Sequence, residues 1–275
     1  MSLEFVTSAV TKWQLDEFMS IVDEFEDEFA DTVGHKLTIA NDYHTVLVHI
    51  AGKVLLTTRE LLNLCALGYP DGALSLARNL YEQMVIVSFF EAHKKDADFQ
   101  KYIDDFFLSY RIQRNKMLRV CENFFPEEKA EDLLQEYAEV KKQAHQAVNG
   151  DYWWTGYSSF AKLAESIIND ASNDHLRRFL GKQYITYKRA CLSLHAGCMG
   201  NAIRIGSDVN YGKIDTSPTE YGQSTPLGYA AASLIMIIGT LCIEFNINHE
   251  KYLKKLNSLA ITYQGKEKGD IRPSE

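Results

Sequence analysis

Residues 227–243 read LGYAAASLIMIIGTLCI, and this stretch carries no charged side chain. Its length is close to the lower limit for a helix that spans a membrane. It contains Gly239 and Thr240 and is bounded by Glu244, and a fully buried helix at the centre of a bundle gives the same pattern. We therefore expect a buried central helix here and no interaction of the protein with a membrane.

The composition of the whole chain is typical of an ordered globular protein. Of its 275 residues, 46% are hydrophobic, 24% are charged and 12% are aromatic, which excludes a disordered chain, a collagen-like repeat and a small disulfide scaffold. Sixteen Gly and five Pro are few for this length. We therefore expect long uninterrupted helices rather than many short strands.

The spacing of apolar residues predicts helices along most of the chain. In residues 8–33, apolar side chains recur at helical spacing and acidic residues fill the other positions. These apolar residues are Phe18, Ile21, Val22, Phe25 and Phe29. Further helices are predicted at about residues 42–67, 70–93, 99–124, 126–150, 159–170, 172–195, 227–246 and 249–263.

The predicted fold class is all-α, a single-domain bundle of about eight to ten helices over residues 1–265. Residues 68–72, Gly-Tyr-Pro-Asp-Gly, stop one helix and start the next, which predicts an antiparallel hairpin. Residues 206–226 show no sustained period and are expected to form a long irregular loop, as in a lid, a binding loop or a disordered segment. Residues 266–275 are expected to be a frayed polar tail.

The N-terminal segment, residues 1–34, carries the whole net charge of the protein. It holds nine acidic residues against one base, Lys12, which gives −8, and the net charge of the full chain is also −8. The rest of the chain is therefore balanced, and the acidity belongs to one amphipathic helix. That helix is expected to pack on the bundle and to offer its acidic face to a protein partner.

Residues 172–206 form the opposite case, a local excess of five positive charges. The bases are Arg177, Arg178, Lys182, Lys188, Arg189 and Arg204, and the one acid is Asp174. A basic helix can bind phosphate groups or a nucleic-acid backbone. It can also be a solvated face, or pair with acids elsewhere such as those of the first helix.

The cysteines and the N-terminus predict a cytoplasmic protein. Five cysteines are an odd number, they form no Cys-x-x-Cys pair, and the acidic N-terminus lacks the basic start of a secretory signal. The sequence also has no Gly-rich phosphate loop, no dinucleotide fingerprint, no His-Glu-x-x-His and no Gly-x-Ser-x-Gly. Nucleotide hydrolysis and hydride transfer by the common folds are therefore disfavoured, and we expect no cofactor.

Cys191, His195 and Cys198 lie at positions i, i+4 and i+7 of one predicted helix. On a straight helix, residues seven apart are separated by about 10 Å along the axis. Two thiolates on one zinc ion, each at about 2.3 Å, must lie within roughly 4 Å of each other. These three residues therefore cannot bind one metal unless Gly197 breaks the helix, and we expect core thiols beside a buried histidine and no metal.

His195 can also be considered together with the bases that precede it. Lys188, seven residues earlier, shares a helical face with Tyr184 and His195, whereas Arg189, six residues earlier, is rotated by about 120°. Metal-independent RNA cleavage needs a group with a pKa near neutral and a cation that stabilises the pentavalent phosphate. His195 with Arg189 or Lys188 supplies these residue types, although a buried, hydrogen-bonded histidine fits the same pattern.

Arg78 and Glu82 lie at i and i+4 within the apolar segment LSLARNLYEQMVIVSFF. Since an unpaired charge in the interior is costly, each of them must find a partner. One reading is a structural ion pair. The other is that Glu82 meets His195 or Lys188 across the bundle and orients them.

Several of these residues resemble a known pattern. The order Ala-Arg-Asn-Leu-Tyr-Glu at 77–82, then aromatic residues, then Tyr-x-x-Tyr-Lys at 184–188 and Ser-Leu-His at 193–195 resembles an uncharacterised bacterial all-helical family, a domain of unknown function. The aromatic residues are Tyr102, Phe106, Tyr110 and one of Trp153 and Trp154. The resemblance covers about residues 55–205, and Cys191 stands where we expect the family's serine.

The element from Arg189 to His195 is also similar to the motif of the higher-eukaryote and prokaryote nucleotide-binding (HEPN) superfamily. That resemblance implies a dimer with a composite site and the activity of toxin and abortive-infection ribonucleases. Only Arg189 and His195 carry it, and Ala190 stands where a polar residue often follows the arginine.

The sequence thus leads to two hypotheses about function. The first is a defence-associated or toxin-like homodimer that acts on RNA, with His195 as general acid or base and Arg189 or Lys188 as phosphate clamp. The second is a non-catalytic module that binds a small ligand in a central pocket or a protein partner on the acidic first helix. The residues expected to bind in either case are Arg78, Glu82, Tyr184 and Tyr187.

Overall fold

The structure is a computed structural model and describes residues 9–34, 42–124, 131–194, 218 and 222–266. In this part of the chain it contains nine α-helices, one short 3₁₀ helix at Trp153–Thr155 and no β-strand. The helices are α1 (Ala9–Gly34), α2 (Asp42–Ala66), α3 (Pro70–His93), α4 (Phe99–Phe124), α5 (Glu131–Lys142), α6 (Phe160–Asn169), α7 (Asp174–Leu194), α8 (Ser224–Phe245) and α9 (His249–Lys266). The predicted all-α bundle of about eight to ten helices is confirmed.

The contacts between residues group the chain into two compact units. The first comprises Met1–Ser88 together with Asp174–Glu275, and the second is Phe89–Asn173. The second unit is thus an insertion in the sequence of the first. A single domain over residues 1–265 stays a prediction.

Helix α8 is the central helix of the first unit. It packs against α9, α2, α1 and α7, and its apolar residues are buried on almost every side. Its length and a mean hydropathy of 1.9 would also suit a membrane span, but 72% of that window is buried inside the protein. The buried central helix predicted at residues 227–243 is therefore observed, and the absence of membrane interaction stays a prediction.

Helix α1 packs on the first unit through the apolar stripe that its sequence predicts. Phe18, Ile21 and Phe25 are fully buried, and the ring of Phe25 meets the edge of Tyr252 from α9 at 5.3 Å between centroids. Some of the acids beside this stripe pair with bases of α2 and α9. Arg59 pairs with Asp23 and Glu26, and Lys251 and Lys255 pair with Glu24. These described partners come from α2 and α9 rather than from the basic segment at residues 172–206.

The core of the second unit is aromatic. Trp154 packs on Phe89, Phe90 and Phe106 at centroid distances of 5.6, 5.4 and 5.0 Å. Both Trp153 and Trp154 are buried. The two tryptophans between the predicted helices at 126–150 and 159–170 are therefore core residues and offer no exposed ring to a ligand.

The described helix bounds agree with the predicted ones to within three residues, except for the fifth helix. That helix was expected to reach residue 150, but α5 ends at Lys142. The reason is a long-range interaction, because the buried carboxylate of Asp105 on α4 accepts the backbone N–H groups of His145 and Gln146 at 2.9 and 3.0 Å. These two N–H groups therefore bond to α4 instead of extending α5.

Three predicted features fall wholly or largely outside the described residues. Of the predicted loop at 206–226, only Pro218 and residues 222–226 are described, and α8 already begins at Ser224. Residues 267–275 of the predicted tail are not described, and neither is His195, since the described part of α7 ends at Leu194.

Candidate functional site

Arg78 and Glu82 on α3 form the ion pair that their spacing predicts. The Nε of Arg78 donates to Oε1 of Glu82 at 3.2 Å. The side chains are 32% and 19% exposed, and the residues around them, Ala77, Leu80 and Tyr81, are almost completely buried. A lone charge at this depth would lack most of its hydration, so each group stabilises the other.

Tyr187 on α7 joins this pair from the neighbouring helix. Its hydroxyl donates to Oε1 of Glu82 at 3.2 Å, and the guanidinium carbon of Arg78 lies 5.6 Å from the centre of its ring. Among the described residues of α7, Glu82 thus pairs with Tyr187. Lys188, which the sequence offered as an alternative partner, lies instead with its Nζ 5.4 Å from the ring centre of Tyr184.

Four tyrosine rings continue from this pair into the core, and we call them the tyrosine row. The ring planes of Tyr184 and Tyr187 are nearly parallel, with an angle of 11° between them, and their centroids are 6.2 Å apart. The ring centroid of Tyr81 lies 5.2 Å from that of Tyr187, and the ring centroid of Tyr229 on α8 lies 5.6 Å from that of Tyr81. The row begins at Tyr184, which is half-buried, and ends at Tyr229, which is only 3% exposed.

Burial raises the pKa of the three inner tyrosines of the row, Tyr187, Tyr81 and Tyr229. Burial is the main cause that raises the pKa of Tyr187, and the Glu82 carboxylate raises it further. At Arg78, burial is the largest cause and lowers the pKa, but Glu82, Cys191 and Tyr187 together outweigh it, and the pKa is raised overall. The site therefore holds a permanent cation, a carboxylate and neutral phenols that can donate hydrogen bonds.

The hydroxyl of Tyr229 is buried and has no hydrogen-bond partner among the described residues. A buried hydroxyl without a partner costs free energy, commonly about 1–3 kcal/mol. Tyr229 is not among the residues that the sequence pattern indicates. The one signal available was a tyrosine in an otherwise apolar helix, and that signal does not reveal which polar groups the hydroxyl will face.

Cys191 lies one turn after Tyr187 and is half-buried, with a free thiol that contributes to the raised pKa of Tyr187. The other two members of the considered zinc set, His195 and Cys198, lie outside the described residues. Over the described ranges, no group of three or more His, Cys, Asp and Glu side chains is placed to hold a metal ion.

The structure thus brings together five of the residues that the sequence proposed. Arg78, Glu82, Tyr184, Tyr187 and Lys188 meet where α3 and α7 pack, and we call this set the α3–α7 site. Arg189 is exposed and does not belong to it, because one residue along a helix turns the side chain by about 100°. The roles proposed for these residues stay predictions.

Comparison with known proteins gives one match. The family described as "Family of unknown function (DUF5677)" matches residues 44–213, a range that contains every residue of the α3–α7 site and also Arg189 and His195. The resemblance to an uncharacterised helical family is thereby confirmed, and the match gives no support to the HEPN resemblance. No curated protein sequence and no solved structure matches the chain.

Proposed function

The chain belongs to the Family of unknown function (DUF5677), and from its geometry we propose that it binds RNA at the α3–α7 site and cleaves it without a metal ion. In this proposal it is a defence-associated or toxin-like protein of the cytoplasm.

The observation that carries the proposal is the pairing of Lys188 with Tyr184. The exposed ammonium group of Lys188 lies 5.4 Å from the centre of the half-buried Tyr184 ring. Sites for single-stranded nucleic acid combine cations that meet the phosphates with aromatic rings on which bases stack. Lys188 and Tyr184 supply one of each at the outer end of the tyrosine row.

Arg78 adds a second cation to the same site. Its side chain is 32% exposed and is held in place by Glu82 and by the Tyr187 ring. A guanidinium group can donate two parallel hydrogen bonds to a phosphate, and a fixed orientation lowers the entropy lost on binding. We therefore assign Arg78 and Lys188 to the phosphate groups and Tyr184 to a base.

The cleavage step uses His195, which follows Lys188 by seven residues in the sequence. In RNA, the 2′-oxygen attacks the adjacent phosphorus and the 5′-oxygen leaves, so that one proton is removed and another is supplied. His195 has the pKa range for either transfer, and a cation beside the phosphate stabilises the charge of the transition state. We assign the cation to Lys188 rather than Arg189, because Lys188 lies at the site while Arg189 points to another side of α7.

Binding is tested by the fluorescence anisotropy of a labelled single-stranded RNA. Lys188→Ala and Tyr184→Leu are expected to weaken binding, the second by about 1–3 kcal/mol if one base stacks on the ring. Lys53→Ala is the control, since Lys53 is an exposed lysine of α2 outside the site. Equal affinities of the wild type and all three variants would overturn the proposed site.

Cleavage is tested with total RNA and transfer RNA in the presence of EDTA. The wild type is expected to cleave, and His195→Ala is expected to bind RNA with unchanged affinity but to lose cleavage. If the wild type binds RNA and never cleaves it, the catalytic part of the proposal is wrong and the binding part stands.

A second function, binding of a small ligand, is favoured by one observation. The buried Tyr229 hydroxyl has no partner in the described structure although the groups of Tyr187, Cys191 and Glu82 lie close enough to influence its pKa. A small hydrogen-bonding ligand could supply that partner. A thermal-shift screen against nucleotides and metabolites tests this function, and a ligand that raises the Tm of the wild type but not of Tyr229→Phe would support it.

A further inference from the structure

The outward side of α7 carries a ridge of basic and aliphatic side chains that are not members of the α3–α7 site. Its members lie at spacings of four, three, four and three residues, so they share one face of the helix. They are Arg178, Lys182, Ile185, Arg189 and Leu192, and all are exposed. Ile185 and Leu192 are 62% and 57% exposed, which is high for aliphatic side chains of this size.

The positive charge of this ridge is not compensated within the described chain. No described carboxylate forms an ion pair with Arg178, Lys182 or Arg189, whereas Arg177, just beside the ridge, pairs with Asp174 at 3.0 Å. The ridge therefore combines apolar area with unneutralised charge, a combination that is typical of surfaces that bind a partner.

The outward side of helix α1 carries an acidic stripe, which is distinct from the buried apolar stripe of the same helix. Trp13, Asp16, Ser20, Asp23, Asp27 and Asp31 recur at three- or four-residue spacing and are exposed. Of these acids, Asp23 pairs with Arg59, and no described base pairs with Asp16, Asp27 or Asp31. Trp13 is 63% exposed at the N-terminal end of the stripe. Exposed tryptophans are uncommon on free surfaces and frequent at the centres of binding sites.

The two surfaces are comparable in length and opposite in charge. From Trp13 to Asp31 the stripe covers 18 helical steps, and from Arg178 to Leu192 the ridge covers 14. At about 1.5 Å per step, the stripe is about 27 Å long and the ridge about 21 Å. Three unpaired acids and a tryptophan on one helix are thus complementary to three unpaired bases and two aliphatic residues on the other.

We propose that the α7 ridge of one molecule docks on the α1 stripe of a second copy of this chain. Since every copy carries both surfaces, a two-fold arrangement forms this contact twice and leaves neither surface open. The apolar contact is supplied by Trp13 with Ile185 and Leu192, and the charges around it set the pairing of the helices. The inference uses other side chains than the RNA site, and Lys188, three residues after Ile185 and four before Leu192, borders the ridge.

The experiment measures molar mass by size-exclusion chromatography with light scattering at low salt. The wild type is expected at twice the chain mass of 31.3 kDa and to shift towards the monomer at high salt. One double variant, Lys182→Glu with Arg189→Glu, reverses the charge of the ridge, and a second, Asp27→Lys with Asp31→Lys, reverses the charge of the stripe. Each is expected to be monomeric, because charges of the same sign then face each other. Trp13→Ala, which changes no charge, is expected to weaken the dimer, and Lys53→Glu is the control that retains it.

Mixing the two charge-reversed variants provides the decisive result. In a heterodimer of the two, one contact has the wild-type charges and the other has both signs exchanged, so both contacts are attractive. We expect the mixture to recover the dimer mass although neither variant does so alone, with circular dichroism showing that both are folded. A monomeric wild type, or variants that keep the wild-type mass, would overturn the proposal. Loss of RNA binding by Lys182→Glu with Arg189→Glu at unchanged mass would also overturn it and would identify the ridge as an RNA surface.

Discussion

Two tyrosines of the same row differ in their hydrogen bonding. Tyr187 donates to Glu82, while Tyr229 has a buried hydroxyl without a described partner. Hydrogen bonds to charged groups contribute about 1.5–3 kcal/mol, and removal of an unpaired buried hydroxyl costs nothing in hydrogen bonding. We expect Tyr187→Phe to lower the free energy of unfolding by about that amount and Tyr229→Phe to leave it equal or raise it, as measured by urea denaturation. Equal losses in both variants would show that Tyr229 has a partner.

Two glycines of the second unit have the same backbone conformation but different surroundings. Gly150 has φ +79° and Gly156 has φ +81°. A Cβ atom on Gly150 would lie 2.0 Å from the carbonyl oxygen of Ser158, whereas on Gly156 the nearest atom is 3.9 Å away. Gly156→Ala is expected to lower the free energy of unfolding by about 1–2 kcal/mol, because alanine is strained in the left-handed conformation. Gly150→Ala is expected to cost about 1–3 kcal/mol more, since the backbone must also move. Urea denaturation of both variants checks the difference, and equal losses would contradict the close approach.

The buried carboxylate of Asp105 makes a prediction about pH. Burial raises its pKa, although the N–H groups of His145 and Gln146 act in the opposite direction. Because the pKa of the folded state then exceeds the unfolded value of about 3.9, the folded state binds more protons between the two values, and its stability falls as pH rises through that interval. Asp105→Asn does not titrate. The free energy of unfolding of the wild type relative to this variant is therefore expected to fall from pH 4 upwards, and a rise would contradict a raised pKa.

At the residue scale, the predictable part of the site was the part within one helix. The pairing of Arg78 with Glu82 follows from their spacing, and the face shared by Tyr184 and Lys188 follows from theirs. The contact of Glu82 with Tyr187 joins residues 105 positions apart, and the sequence pattern indicated His195 or Lys188 rather than Tyr187 as the partner of Glu82. Tyr229 was missed for the same reason, since its position in the row depends on how α8 packs.

At the scale of elements, helix ends were predictable wherever local sequence sets them. The bounds of α3 follow from the turn at residues 68–72 before it and from the loss of helical spacing among the apolar residues after it. The end of α5 was not predictable, because it depends on the carboxylate of Asp105, which lies 40 residues before His145. The bases that pair with acids of α1 could not be predicted either, since Glu24 and Lys255 are 231 positions apart in the sequence.

Helix α8 offers a direct test of its role as a core helix. Leu234 is fully buried and Ile243 is 64% exposed on the same helix. Leu234→Lys is expected to cost at least about 3–5 kcal/mol, because it places an unpaired charge in the core. Ile243→Lys is expected to change the free energy of unfolding by only about 0.5 kcal/mol, as is usual for surface positions. Soluble yield and Tm check this contrast, and strong destabilisation by Ile243→Lys would show that this side of α8 is covered by another surface.

At the scale of the whole molecule, α7 has two proposed roles on two of its sides. One side carries Lys188 and Tyr184 beside Arg78, where RNA is proposed to bind, and another carries the ridge proposed to dock on a second copy. The sequence showed only an excess of positive charge over residues 172–206, and it left a nucleic-acid surface and a solvated face as alternatives. The structure separates the bases by the direction in which they point, which charge counting along the chain cannot do.

The central claim is that Lys188 contacts RNA phosphate at the α3–α7 site, and the salt dependence of RNA affinity tests it most directly. Each phosphate contact adds about 0.7 to the slope of log affinity against log salt for a single strand. We expect Lys188→Ala to lower that slope by about one contact while Lys53→Ala keeps the wild-type slope. An unchanged slope in Lys188→Ala, or wild-type affinity that does not depend on salt, would contradict the claim.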